Sequence, residues 1–195
     1  MARPHTDSSK RKICETALSL AAKKGWRPLT LDQIAETAKI PPAQIHKMYA
    51  SKNDLLPEIV SWIDGCAAMA AATVNPSDPP RDRLFEILMA RFDILQKHRG
   101  GVLAILKDGR RDPAFLRHMM PAHIKIMRQI VASAHLAPSE GGGTLVTCGL
   151  LAVYYRTVWE WEKDLSSDMT KTMATLDKSL KCAAKAAGIL LRRSK

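Results

Sequence analysis

The chain is expected to be all-α, and three observations carry that expectation. Ala, Leu, Lys and Arg are the commonest residues while aromatic residues make up only 5% of the 195 residues, a composition that favours helix over strand. Apolar residues recur at three- and four-residue spacing through most of the chain. The backbone breakers fall between these periodic stretches: three prolines lie in the six residues Asn75–Pro80, and three glycines stand together at Gly141–Gly143.

The elements follow in order. Ser8 and Ser9 are placed to cap a first helix over about 9–24, with Ile13, Ala17, Leu18, Leu20 and Ala21 on its apolar face and Gly25 ending it near Trp26. Thr30 and Gln33 have the spacing of a capping box, so a second helix runs to about Lys39 with Ile34, Ala35 and Ala38 inward. Pro41 and Pro42 suit a first helical turn and begin a third helix, which carries Ile45 and Met48 toward the core and ends near Tyr49. Ser51 caps a long fourth helix through Leu55, Leu56, Ile59, Val60 and Ile63 to about Val74, with Pro57 positioned to kink it. Beyond Pro80 come an amphipathic helix at about 81–97, a segment at 100–119 interrupted by KDGRRDP, and a helix at about 121–135, separated from what precedes it by a break at Pro121. Two long helices close the chain at about 144–163 and 168–191, the last capped by Ser167 or Asp168. The elements divide into a head, residues 1–60, and a larger helical domain, residues 61–195, with the fourth helix as connector.

A chain of this length builds a core without disulfides or metal. Cys14, Cys66, Cys148 and Cys182 lie far apart, with no CxxC pair and no histidine at ligand spacing, so a reducing compartment is expected. The polar, basic Met1–Lys12 has no apolar core behind it, and no stretch is long and uncharged enough to span a bilayer. A soluble cytoplasmic protein is expected. The formal charge of +11 favours a polyanionic partner, DNA first and an anionic membrane surface second. The excess is spread out: residues 1–60 hold ten Lys and Arg against six Asp and Glu, and residues 81–135 hold eleven against five.

Two short helices joined by a tight turn and set against a preceding helix have the form of a helix-turn-helix, whose second helix enters the major groove. Gln44, His46 and Lys47 point away from the Ile45 and Met48 side and offer an amide, an imidazole and a cation. Lys47 and Lys52 are expected on phosphates, Gln44 and His46 on base edges. An ordinary three-helix fold with a polar outer face fits the same spacing.

The stretch LTLDQIAETAKIPPAQIHKMYASKNDLL, with Thr30, Ile34, Ala35, Ala38, Ile40, Ile45, Tyr49, Ser51, Lys52, Leu55 and Leu56 in register, resembles the N-terminal domain of the TetR family of bacterial transcription regulators. The resemblance implies a DNA-binding set of Thr30, Pro42, Gln44, His46, Lys47, Tyr49 and Lys52. It further implies a homodimer paired through the last two helices on a palindromic operator, and release by a small effector bound in the second domain. The head departs from the family at Lys39, where the turn glycine is usual, and at Pro41 and Pro42, which remove a hydroxyl and two backbone donors. His46 and Met48 stand where tyrosine and histidine are usual, and a thioether cannot donate to phosphate. A second, patchier resemblance links residues 81–190 to the lipid-binding accessory proteins of ubiquinone biosynthesis, which share the TetR fold. Its physical counterpart is the final apolar stripe of Met169, Met173, Leu176, Leu180, Ala184, Ala187 and Leu191, flanked by lysines; such a helix suits an anionic membrane, or a dimer bundle with its lysines in water.

Met89, Phe92, Phe115, Met119, Met120, Met127, Tyr154, Tyr155 and Trp159 are candidates to line an apolar effector cavity, against the alternative that most of them are plain core. Arg156, in an otherwise apolar helix, is the best polar handle; a rim ion pair with Glu160 is its alternative. His118 and His123 lack a third ligand at useful spacing, so no metal is expected. With no catalytic triad order, phosphate loop or paired carboxylates, neither an enzyme nor a cofactor is expected.

Overall fold

A computed structural model describes residues 4–70, 74–110, 112–134, 136 and 142–193, and among these every regular element is helical. The nine α-helices of the described residues are α1 (Pro4–Lys24), α2 (Leu31–Ala38), α3 (Pro42–Met48), α4 (Leu55–Ala70), α5 (Pro80–Lys97), α6 (Arg99–Gly109), α7 (Pro113–Ser133), α8 (Gly142–Trp161) and α9 (Thr170–Arg193), with a short 3-10 turn at Lys52–Asp54.

Two prolines behave differently from expectation. Pro57 is the third residue of α4, where the backbone nitrogen has no helical acceptor to lose. The Ser51 capping box, closed through Asp54, holds the 3-10 turn that leads into that helix. Pro121 lies inside α7, which runs through it from Pro113 to Ser133 where a break at Pro121 was expected. A helix survives the loss of one backbone bond when flanking residues are anchored, and here Met119, His123, Ile126 and Met127 are all buried. The first helix also begins earlier than the Ser8–Ser9 cap implies, with Pro4 in the first turn, where that residue is preorganised.

The chain forms two compact units, residues 1–66 with 93–122 and residues 67–92 with 123–195. In the first, α1 packs along α6 at unusually close range. A Cβ on Gly101 would come within 2.2 Å of the Leu18 carbonyl oxygen, and one on Gly100 within 3.0 Å of the Ala22 Cβ, so the pair Gly100–Gly101 lets the two helices meet. Ile13, Leu18, Ile34, Ile45, Leu55 and Leu56 fill the core of this unit, each at most 1% exposed. In the second unit α8 packs on α9 around Trp161 and Leu176, both fully buried. The turn between them is organised by Asp164, 1% exposed. Its carboxylate accepts from the Thr172 backbone N–H and hydroxyl at 2.9 Å each, and from the Ser166 hydroxyl at 2.5 Å. These bonds hold the Asp164 carboxyl well below the usual carboxylate range despite its burial, which works the other way. The Ser166 hydroxyl and Asp168 carboxylate accept from Thr170 N–H at 3.2 and 3.4 Å, so Asp168 caps α9 as expected, with Ser166 beside it.

Candidate nucleic-acid interface

The first unit carries the helix-turn-helix. Gly25, at φ +83°, ends α1 with its N–H on the Ala21 carbonyl. Thr30 then opens α2 with a complete capping box: its hydroxyl oxygen accepts from Gln33 N–H, and the Gln33 side chain accepts from Thr30 N–H, both at 3.2 Å. At the far end Lys39 sits in the left-handed region, φ 55° and ψ 46°, and sends its N–H back to Glu36 while Ile40 N–H returns to Ala35. This closure is the one the turn requires, reached without a glycine. Pro41 and Pro42 then supply the fixed φ of the first turn of α3.

Ile45 is fully buried, and it fixes the rotation of α3 so that Pro42, Gln44, His46 and Lys47 face solvent. Met48 is only half-buried and is not part of the core proper. Of the outward residues, Gln44 and Lys47 have no partner among the described residues, whereas His46 Nε2 sits 2.8 Å from the Asp32 carboxylate on α2. One imidazole nitrogen is thus occupied across the two helices, and Asp32, which the spacing argument passed over, is its partner. Thr30 is exposed, but its oxygen already serves the cap.

Two expected contacts are placed elsewhere. Tyr49 is 6% exposed, its hydroxyl is buried without a partner among the described residues, and burial beside Glu58 pushes the phenol above its ordinary range. Lys52 points into the fold: its Nζ donates to the Trp26 and Arg27 carbonyls at 2.7 Å each and lies 5.4 Å from the Trp26 ring centre. Burial pushes this lysine down against the opposing pull of Asp108 and Asp112. Lys52, expected on phosphate, thus commits two of its three N–H donors to holding the loop between α1 and α2.

The candidates for an effector cavity are divided. Phe115 and Met119 belong to the first unit, and Met89, Phe92, Tyr155, Arg156 and Trp159 to the second. Arg156 is exposed, and so is Trp159 at 49%, with the Lys163 ammonium 4.3 Å over its ring. Two guanidiniums of this unit are buried: Arg83, 8% exposed, bonds backbone carbonyls, while Arg91, 1% exposed, stacks 5.4 Å over Tyr154 and donates to its hydroxyl at 3.3 Å. Around it, Phe92, His123, Tyr154 and Tyr155 pack with ring centres 5.5–5.8 Å apart. His123 Nδ1 bonds the Tyr155 hydroxyl at 2.6 Å, and burial together with the Arg91 charge pushes this imidazole down to about 3. Burial likewise pushes the Tyr155 phenol up to about 12. Sequence reasoning weighed His123 only as a metal ligand. The signal that would have found Arg91 is its spacing, one turn from Leu88 and Leu95 on the core face of α5. His118 lies in the other unit, between Asp54 at 3.2 Å and the Ala114 carbonyl at 2.6 Å. Among the described residues no group of three or more His, Cys, Asp or Glu is placed to hold a metal, and no helix is long and apolar enough to cross a membrane.

Residues 13–59 match the family model of bacterial regulatory proteins, tetR family. The chain is 26% identical over 106 residues to the HTH-type transcriptional repressor KstR2 of Mycobacterium tuberculosis, a match covering 54% of this chain and 53% of the relative. It thus spans about half the length of the curated relatives it matches. Its fold is similar to that of a TetR transcriptional regulator from Nitrosomonas europaea, with a TM-score of 0.70 at 20% identity over 90% of this chain and 97% of that one. A TetR transcriptional regulator from Rhodococcus sp. RHA1 is similar with a TM-score of 0.66 at 15% identity, over 91% and 96% of the two chains.

Proposed function

We propose that this chain, whose head is a TetR-family domain within a TetR-like all-α fold, is a DNA-binding transcription regulator, acting as a repressor that a small, largely apolar effector releases from its operator. The observation that carries the reading is the outer face of α3. In a helix-turn-helix with a closed cap, a left-handed turn and a buried Ile45 anchor, that face presents Gln44, His46 and Lys47 to solvent together. Gln44 suits bidentate contact with adenine, Lys47 suits phosphate, and His46 keeps one ring nitrogen for the groove. Repression is supported by the name of the mycobacterial relative.

Effector binding is assigned to the second unit, where Met89, Phe92 and Tyr155 supply apolar wall and buried Arg91 and His123, with the Tyr155 hydroxyl, supply the polar handle in place of Arg156. Pairing into a homodimer is assigned to α8 and α9. On α8 the residues Leu145, Cys148, Gly149, Ala152, Arg156 and Trp159 are all exposed along one face, Leu145 at 63%, and Met173 of α9 is 43% exposed. Small residues at the middle of such a stripe let a symmetric partner helix approach. The interface is expected to bury more than about 1,200 Å² in total, and sedimentation showing only monomer at micromolar concentration would refute it.

The deciding experiment is selection from a random DNA pool with purified protein at physiological salt. Enrichment of a palindromic sequence, lost on replacing Gln44 and His46, supports the reading. Failure to enrich any palindrome, with lipid retained through purification, overturns it in favour of the ubiquinone-biosynthesis alternative, which the comparisons do not favour.

A further inference from the structure

A cavity of about 330 Å³ lies within the first unit, and no residue of α3 lines it. That volume is at the small end of ligand pockets. Its lining has an ordered chemistry. Trp26 and Phe115, both buried, make apolar walls. Phe115 sits directly on the end of α6, where a Cβ on Gly109 would come within 2.5 Å of its ring, so this wall is fixed by close packing. Arg27 and Lys52 contribute two positive charges, and Asp108 and Asp112 contribute two negative ones.

The bonds already made leave capacity on each of these groups. An ammonium has three donors, and Lys52 uses two of them on the Trp26 and Arg27 carbonyls. Asp108 Oδ2 accepts from Arg27 N–H at 2.8 Å, while its second oxygen has no partner among the described residues. Asp112 accepts from Ala114 N–H at 2.9 Å and from the Asn53 amide at 3.3 Å, one bond per oxygen, which leaves lone pairs on both. The Arg27 side chain is exposed and makes no hydrogen bond or ion pair among the described residues. A simple cation entering this cavity meets Lys52 and Arg27, and a simple anion meets Asp108 and Asp112. A compact molecule carrying both charges satisfies both pairs.

We propose that this cavity binds a small zwitterion of the α-amino-acid type. Its carboxylate is held by the Arg27 guanidinium and the third N–H of Lys52, its ammonium by Asp108 and Asp112, and its side chain lies against Trp26 and Phe115. The site grips the loop between α1 and α2 from both sides, through Lys52 on its carbonyls and Asp108 on its N–H. Occupancy therefore stiffens the loop that leads into the helix-turn-helix. The proposal does not depend on what α3 binds.

Titration calorimetry of the full chain against each standard L-amino acid, up to millimolar concentration, tests it. At least one is expected to bind one-to-one, and its matched amine and matched carboxylic acid, each lacking one charge, to bind at least about tenfold more weakly. Arg27→Ala, which removes no contact of the fold, is expected to weaken binding by about tenfold or more with an unchanged melting midpoint, and Asp108→Asn by a similar factor. The proposal is overturned if no amino acid binds, if the single-charge analogues bind as well, or if Arg27→Ala binds as the parent does.

Discussion

Replacing Lys52 with methionine separates a lysine that builds the head from Lys47, the lysine proposed to contact DNA. Methionine keeps an unbranched stem against Trp26 and deletes only the ammonium, which bridges the Trp26 and Arg27 carbonyls at 2.7 Å each. A hydrogen bond from a charged donor contributes about 1.5 kcal/mol at the low end. Two of them, halved because Lys52 is only half-buried and water replaces the lost donor, give a loss of about 1.5 kcal/mol. For a chain of this length that lowers the melting midpoint by about 3–6 °C. Calorimetric melting measures it, and titration of the selected DNA site across a salt series measures the other half of the argument. Lys52→Met should leave the salt slope of the folded protein unchanged, whereas Lys47→Ala should leave the midpoint unchanged and flatten the slope by about one unit. The reasoning is refuted if Lys52→Met melts like the parent while its slope falls by about one, because the ammonium would then be spent on phosphate.

Three further outcomes are expected. Gly101→Ala forces a Cβ toward the Leu18 carbonyl at 2.2 Å and should cost more than about 3 kcal/mol in chemical denaturation, by prising α6 from α1. Lys39→Gly removes the strain of a side chain at φ 55° and should stabilise the chain by about 0.5–1 kcal/mol, measured the same way. His123, held at about 3 by burial against an ordinary 6.5, takes up a proton on unfolding. Stability should therefore be steady above about pH 6.5 and fall as pH drops toward 3, by up to about 1.4 kcal/mol per unit from this group. Denaturation of His123→Gln beside the parent, at about pH 7 and pH 5, should show the parent losing up to about 2 kcal/mol more.

What the sequence made legible was local. The Thr30–Gln33 capping box, the Gly25 stop and the Lys39 turn each depend on residues within five positions of one another, and all are found where spacing puts them. The two proline expectations depended on more. Pro57 needed the helix start known to within a turn, and Pro121 needed the burial of Met119, Ile126 and Met127, which only tertiary packing supplies. The candidate sites followed the same rule. The outward turn of Gln44, His46 and Lys47 follows from Ile45 alone, but the Asp32 partner of His46 lies fourteen positions away and the carbonyl partners of Lys52 more than twenty. Arg91 and Arg156 both sit in apolar stretches, and helical phase separates them. Arg91 falls on the face of Leu88 and Leu95, whereas Val153, Tyr154, Thr157 and Val158 turn the buried side of α8 away from Arg156.

The same distinction decides how the positive charge of the head is used. Several of its cations are committed within the fold: Lys10 to Glu58 at 2.9 Å, Arg11 to Glu15 at 2.8 Å, and Lys52 to two carbonyls. His46 is committed on one side to Asp32. On α3, Lys47 is the cation with no partner among the described residues, and Lys39 stands exposed at the preceding turn. Pro41 and Pro42 contribute no backbone donors there, and Met48 contributes none from its side chain. If α3 reads DNA as proposed, the large net charge of the chain overstates the electrostatic part of that recognition. Under the proposed reading, discrimination falls to Gln44 and to the second ring nitrogen of His46, whose loss should cost about 1–3 kcal/mol at particular base pairs. Because Asp32 fixes the imidazole, Asp32→Ala should erode the same discrimination without removing any atom that reaches the DNA. Binding of Asp32→Ala to the selected site and to single-base variants of it tests this step. Unchanged discrimination would mean that the Asp32–His46 contact orients nothing.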